Sequence, residues 1–192
     1  MTDSTDNFEA FIDDAAAAVS SLHEILPSLR MAAKLLVETL ENGGKVLSAG
    51  NGGSAAEAMH LAEELSGRYK HNRRALPGLA LCADGTALTC IGNDYGFDKI
   101  FSRQVEAFGT PSDLLVLFST SGNSANLREA ILQARIQGMK IISLLGHGGG
   151  AIHGMSDIEL TIPETASAHV QEAHQVILHL LLEQVDARFT AK

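Results

Sequence analysis

Short apolar runs alternate along the chain with stretches in which apolar residues recur every three or four positions. Lys45–Ala49 (KVLSA), Gly78–Cys82 (GLALC), Leu114–Phe118 (LLVLF), Lys140–Leu145 (KIISLL) and Ile158–Ile162 (IELTI) read as strands. The segments around 54–66, 97–108 and 125–138 have helical spacing. Ala166–Arg188 reads as a long helix with Val170, Ala173, Ile177, Leu180, Leu181 and Val185 on its apolar face. Residues 6–42 are helical as well, kinked or divided at Pro27 and ended by Asn42-Gly43-Gly44. Such alternation predicts a three-layer α/β/α sandwich around a mainly parallel five-stranded sheet. Residues 43–192 form one globular unit in this reading, residues 1–42 an N-terminal helical extension, and residues 1–5 a disordered end.

Composition narrows the partners. A formal net charge of −9 argues against nucleic acid, whose backbone is gripped by basic faces. It leaves open a small phosphate, which responds to the local field of a loop and a helix end. No apolar run approaches the roughly 18 residues of a membrane span, and no basic segment precedes an apolar stretch at the N-terminus. Cys82 and Cys90 have neither disulfide-framework nor zinc-motif spacing and read as small packing residues. A cytoplasmic protein without a membrane partner is the expectation.

Open α/β sheets bind ligands beyond the carboxyl ends of their strands, and two loops there stand out. Ala49-Gly50-Asn51-Gly52-Gly53-Ser54 follows the first strand, and Ser119-Thr120-Ser121-Gly122-Asn123-Ser124 follows the third. Glycine lets the backbone approach a ligand, and the following helix presents unpaired N–H groups. Four hydroxyls in six residues, Ser119, Thr120, Ser121 and Ser124, add donors suited to phosphate oxygens. No P-loop lysine follows, and GxGxxG is not matched, so a nucleotide is not implied. Ser54 and Ser124 would serve equally as plain N-caps.

His60 and Glu64 stand four residues apart on one helix face, with Glu63 turned about 100° away. The spacing is HxxxE, not the HExxH of zinc proteases. Gln171, His174 and His179 are polar members of the last helix, His174 reading as a surface or satisfied core residue. A carboxylate beside imidazoles near a phosphate cradle suits acid–base chemistry.

AGNGGSAAEAMHLAEELSGRY, ALTCIGNDYGFDKIFSRQVEAFG, STSGNS and VQEAH occur in this order, and with them the chain from about residue 10 to 190 resembles the sugar isomerase (SIS) domain family, specifically its heptose-phosphate branch. The resemblance implies a flavodoxin-like SIS fold and interconversion of D-sedoheptulose 7-phosphate with D-glycero-D-manno-heptose 7-phosphate, the first step toward ADP-heptose and the lipopolysaccharide core. It further implies a cytoplasmic homotetramer with one zinc ion per subunit. By motif, the catalytic pair falls on Glu64 and His179, and the metal ligands on His60, Glu64, Gln171 and His179. Substrate contacts fall on Asn51, Gly52, Gly53, Ser54, Glu64, Asn93, Asp94, Ser119, Thr120, Ser121, Ser124 and Gln171. The chain departs from many relatives at Thr165-Ala166-Ser167-Ala168-His169, where His169 replaces an arginine and a small residue replaces an acid. A non-catalytic sugar-phosphate-binding regulator, or an isomerase of another sugar phosphate, is the alternative. Retention of both Glu64 and His179 favours an enzyme.

Gln171 and His179 are separated by about 12 Å of helix rise, whereas zinc–ligand bonds are about 2 Å. On that ground a site completed by a neighbouring subunit is expected.

Overall fold

The computed structural model describes residues 7–190, so the terminus read as disordered lies outside it. Strands β1 (Val46–Gly50), β2 (Gly78–Ala80), β3 (Leu114–Ser119), β4 (Lys140–Leu145) and β5 (Ile158–Thr161) are all parallel and ordered β2-β1-β3-β4-β5. Every residue of β1 and β3 is buried. A parallel strand covered on both faces needs an unbroken apolar run, not an alternating one, and such runs announced these strands in the sequence.

Helices α1 (Phe8–Ser20), α2 (Leu26–Glu41), α3 (Gly53–Ser66), α4 (Gly85–Tyr95), α5 (Ser102–Phe108), α6 (Ala125–Ile136) and α7 (Ser167–Phe189) connect or flank the strands. On one face α2, α3 and α7 pack Leu36, Leu61, Leu65, Leu178 and Leu181 against Val116 and Phe118. On the other, Phe101 just before α5, with Val105 of α5 and Leu127 and Ile131 of α6, packs against Leu47, Leu115 and Leu117. Each fully buried Leu or Phe stabilises the fold by about 1.5–3 kcal/mol.

Three sequence expectations change. The N-terminal helix is broken by a 3₁₀ turn at Ser21–Ile25, and Pro27 falls in the first turn of α2, where its missing N–H forfeits no helical bond. The helical segment 97–108 is split into a 3₁₀ turn at Phe97–Lys99 followed by α5. Residues 85–95, not assigned to a helix from sequence, form α4. Asp84 caps it by accepting from the Thr86 and Ala87 amides, and none of its residues is buried.

After β1 the chain enters α3 on one face; after β3 it enters α6 on the other. The crevice between the ends of these adjacent strands is therefore a topological switch point.

A polar cluster ties α3 to α7. Buried Asp186 accepts from the Lys70 and His71 amides, both at 2.9 Å, and from Arg73 Nε at 3.0 Å. The fully buried Arg73 guanidinium in turn donates to the Leu65 and Glu64 carbonyls, at 2.9 and 2.6 Å, capping the C-terminal end of α3. Burial alone would raise the Asp186 carboxyl. The His71 and Lys70 amides and the Arg73 guanidinium outweigh that effect and hold it below the usual carboxylate range.

Candidate active site

The two loops singled out in the sequence meet at the switch point. Asn51 and Asn126 exchange reciprocal amide hydrogen bonds of 3.0 and 2.9 Å between them. Asn51 therefore has its carboxamide committed to Asn126, a residue the sequence reading did not name. Between the loops lies a pocket of about 90 Å³ lined by Asn51, Ser54, Phe118, Ser119, Thr120, Ser121, Ser124 and Gln171. That is roughly the volume of three waters, which suits a phosphoryl group better than a whole sugar. Ser124 occupies the N-cap position of α6 but makes no capping bond. Ser54 is not a cap, because α3 starts one residue earlier with Gly52 as its N-cap. The Ser119 hydroxyl accepts from the Gly122 amide at 3.0 Å and shapes the turn. Gly122 has φ 63°, and a Cβ there would collide with the Gly149 carbonyl. A Cβ at Gly53 would push against the Gln171 carboxamide, a flexible side chain that can yield.

Beside this pocket opens a cleft of about 440 Å³, bordered by Gly53, Glu57, His60, Ala168, Gln171 and Gln175. Gln171 borders both, and so links the anion pocket to the ionisable groups. His60 Nε2 lies 3.3 Å from Glu64 Oε1 and 3.9 Å from Glu63 Oε1. Glu63 therefore joins the cluster instead of turning away, because an i, i+3 side chain reaches the same edge of the helix. The His60 and His179 rings meet edge-on at 5.4 Å, and Tyr69 stacks on His179 at 5.7 Å. Burial, reinforced by His60 and Lys70 and opposed by Glu64 and Glu183, holds the His179 imidazole below its ordinary value. This environment disfavours the imidazolium form of the ring.

The quartet His60, Glu64, Gln171 and His179 is brought together only in part. The glutamine that bonds both histidines is Gln175, at 2.6 Å from His60 Nδ1 and 3.2 Å from His179 Nε2. Gln171 lies between the anion pocket and the cleft instead. Gln175 stands midway between Gln171 and His179 on the same helix face. Spacing held the signal: 171, 175 and 179 are successive i, i+4 positions. Asn93 and Asp94 border neither cleft. They lie exposed at the end of α4, where Asn93 donates to Asp94 at 2.7 Å. His174 is a core residue but not a satisfied one, fully buried with Nδ1 3.8 Å from Glu57 and no hydrogen-bond partner on either residue's side chain. His169 is buried against Phe11 with Nδ1 2.9 Å from Glu172. A larger cavity of about 720 Å³ lies between α2 and α7, away from all this chemistry.

His60, Glu63 and Glu64 offer donor atoms within 4.8 Å of one another. Imidazole and carboxylate are ordinary zinc ligands, so the residues present fit a divalent cation.

Known proteins resemble this chain in sequence and fold. Residues 10–146 match the SIS domain model. The chain is 50% identical over 165 residues to a phosphoheptose isomerase of Campylobacter concisus, covering 86% of this chain and 87% of that protein. The solved phosphoheptose isomerase of Neisseria gonorrhoeae superposes with a TM-score of 0.88 at 40% identity, covering 94% of this chain and 97% of that one. That of Francisella tularensis gives 0.90 at 37% identity, covering 97% and 100%.

Proposed function

This chain belongs to the SIS domain family, and on that premise we propose that it is an aldose–ketose isomerase interconverting D-sedoheptulose 7-phosphate and D-glycero-D-manno-heptose 7-phosphate. One observation carries the reading: Gln171 borders both a hydroxyl-lined pocket of phosphoryl size and a cleft edged by His60, whose ring lies 3.3 Å from the Glu64 carboxylate beyond it.

The phosphate end of the sugar sits among Ser54, Ser119, Thr120, Ser121 and Ser124, with the N-terminal amides of α3 and α6 completing the grip. Gln171 orients the chain of hydroxyls, and the carbonyl end reaches the cleft. Glu64 takes the proton from the carbon beside the carbonyl and returns it to the neighbouring carbon, passing through an enediol. His179 moves the proton between the two oxygens. Zinc, held by His60 and Glu64 with His179 close by, would supply Lewis-acid polarisation of those oxygens.

We place the reaction in the cytoplasm at the head of an ADP-heptose route to the lipopolysaccharide core. A charged sugar phosphate stays on the side of the membrane where it is made. Among the described residues, no helix is long and apolar enough to cross a membrane.

Purified protein is expected to convert sedoheptulose 7-phosphate, followed by NMR, and to slow when a chelator is added. Replacing Ser119 and Ser121 by alanine should raise KM tenfold or more, at about 1.4 kcal/mol per decade. Micromolar binding without turnover would instead identify a sugar-phosphate sensor.

Self-association into a homotetramer completes the proposal. Phe8, Ile12, Tyr95 and Phe97 are more than half exposed, and no residue of α4 is fully buried within its own chain. The apolar groove between α2 and α7 adds a further unpaired face. In such an assembly Asn93 and Asp94 would meet a site on a neighbouring copy. Sedimentation at assay concentration should give four chains; an active monomer would overturn this part.

A further inference from the structure

The Gln175 carboxamide sits where neither the family motifs nor the proton-transfer scheme assigns it a task. Its nitrogen lies 2.6 Å from His60 Nδ1 and 3.2 Å from His179 Nε2. One amide nitrogen carries two hydrogens, so it can donate to both rings at once. Both contacted ring nitrogens are then acceptors. The His60 proton must sit on Nε2, directed at the Glu64 carboxylate 3.3 Å away, and the His179 proton on Nδ1.

A half-turn of the carboxamide reverses everything. Its oxygen would then accept from His60 Nδ1–H and His179 Nε2–H. The lone pair on His60 Nε2 would face the Glu63 and Glu64 carboxylates, at 3.9 and 3.3 Å. Lone pair against carboxylate is repulsive unless a cation lies between them. A histidine that binds a metal through one nitrogen characteristically donates from the other. The donor edge of Gln175 therefore matches the cation-free site, and the acceptor edge matches the loaded one.

We propose that Gln175 is a positioning residue whose carboxamide turns over when a divalent cation binds, setting the tautomers of His60 and His179 together. The proposal rests on the isomerase reading for the use of these histidines, but its signature is independent of turnover.

The test uses full-length, ¹⁵N-labelled protein stripped of metal and titrated with zinc chloride. Tautomers are read from long-range imidazole ¹H–¹⁵N correlations and affinity from calorimetry. Wild type should show His60 protonated at Nε2 without zinc and at Nδ1 with it. Gln175→Leu should weaken zinc binding about 10- to 100-fold and leave metal-free His60 as a mixture of tautomers. Gln175→Glu, which can only accept, should place a proton on His60 Nδ1 before zinc is added. It also guards against a misfolded leucine variant. The proposal is overturned if Gln175→Leu binds zinc within about twofold of wild type, or if Gln175→Glu leaves the metal-free tautomer unchanged. Sedoheptulose 7-phosphate turnover is measured on the same wild-type sample. Absent turnover with the tautomer change intact would sink the isomerase reading and leave the Gln175 role standing.

Discussion

Glu64→Gln will bind the sugar phosphate normally and fail to exchange the proton beside its carbonyl. Glutamine keeps the shape of the side chain and an oxygen able to accept from His60, 3.3 Å from the native carboxylate. It cannot take a proton from carbon. Removal of a general base typically lowers kcat by about 10²–10⁴-fold, and the upper half of that range is expected here. The anion pocket lies apart from Glu64 and does not include it, so KM should stay near the wild-type value. Incubation in deuterated water with NMR detection separates the roles. Wild type should wash deuterium into the carbon next to the carbonyl, and the variant should not. Persistent exchange would remove Glu64 from the role of base.

The second large effect is on stability. Asp186→Ala removes the partner of a guanidinium with no exposed surface. It also orphans the Lys70 and His71 amides. Breaking a buried pair from one side costs about 3–5 kcal/mol, because the remaining charge is stranded. For a chain of this size that corresponds to a Tm lowered by on the order of 10 °C. Activity should fall with it, since Arg73 is bonded to the carbonyl of Glu64 itself. Acidity offers a further check. The folded Asp186 carboxyl titrates below the usual range. Its stabilisation is complete above the unfolded value, about pH 3.9, and is lost as pH falls through the folded value. The stability gap between wild type and variant, read from urea melts, should be constant near neutrality and narrow below about pH 4. A gap that widens on acidification would contradict this account.

These two residues also show what the sequence can and cannot reveal. Glu64 drew notice because His60 stands one turn before it, and its role as base was implied by the resemblance to the SIS family, not by the spacing. The strands were legible from their pattern: LLVLF and KIISLL have no other comfortable place than a doubly covered sheet. Asp186 was not legible. Its partners lie more than a hundred positions away, and nothing in an amphipathic helix distinguishes a buried Asp from a surface one. The α4 helix carries only a short stripe, Leu88 and Ile91, half-buried against the core, which its glycines and threonines outweigh in the sequence. Its one local marker was Asp84 ahead of Thr86 and Ala87. Gln175 fell between those cases: its position was regular, but a lone glutamine on a helix face carries no chemical signature until its neighbours are known.

The anion pocket is walled entirely by hydroxyls, carboxamides and one phenyl ring. None of these gains or loses a proton between pH 5 and 9. Any dependence of phosphate affinity on acidity should therefore mirror the monoester's own second ionisation, near pH 6. Among the described residues, the pocket's lining contains no counter-ion for salt to compete with. The enzyme would hold its substrate through neutral dipoles alone, and so remain indifferent to cellular ionic strength where a lysine- or arginine-built pocket would not.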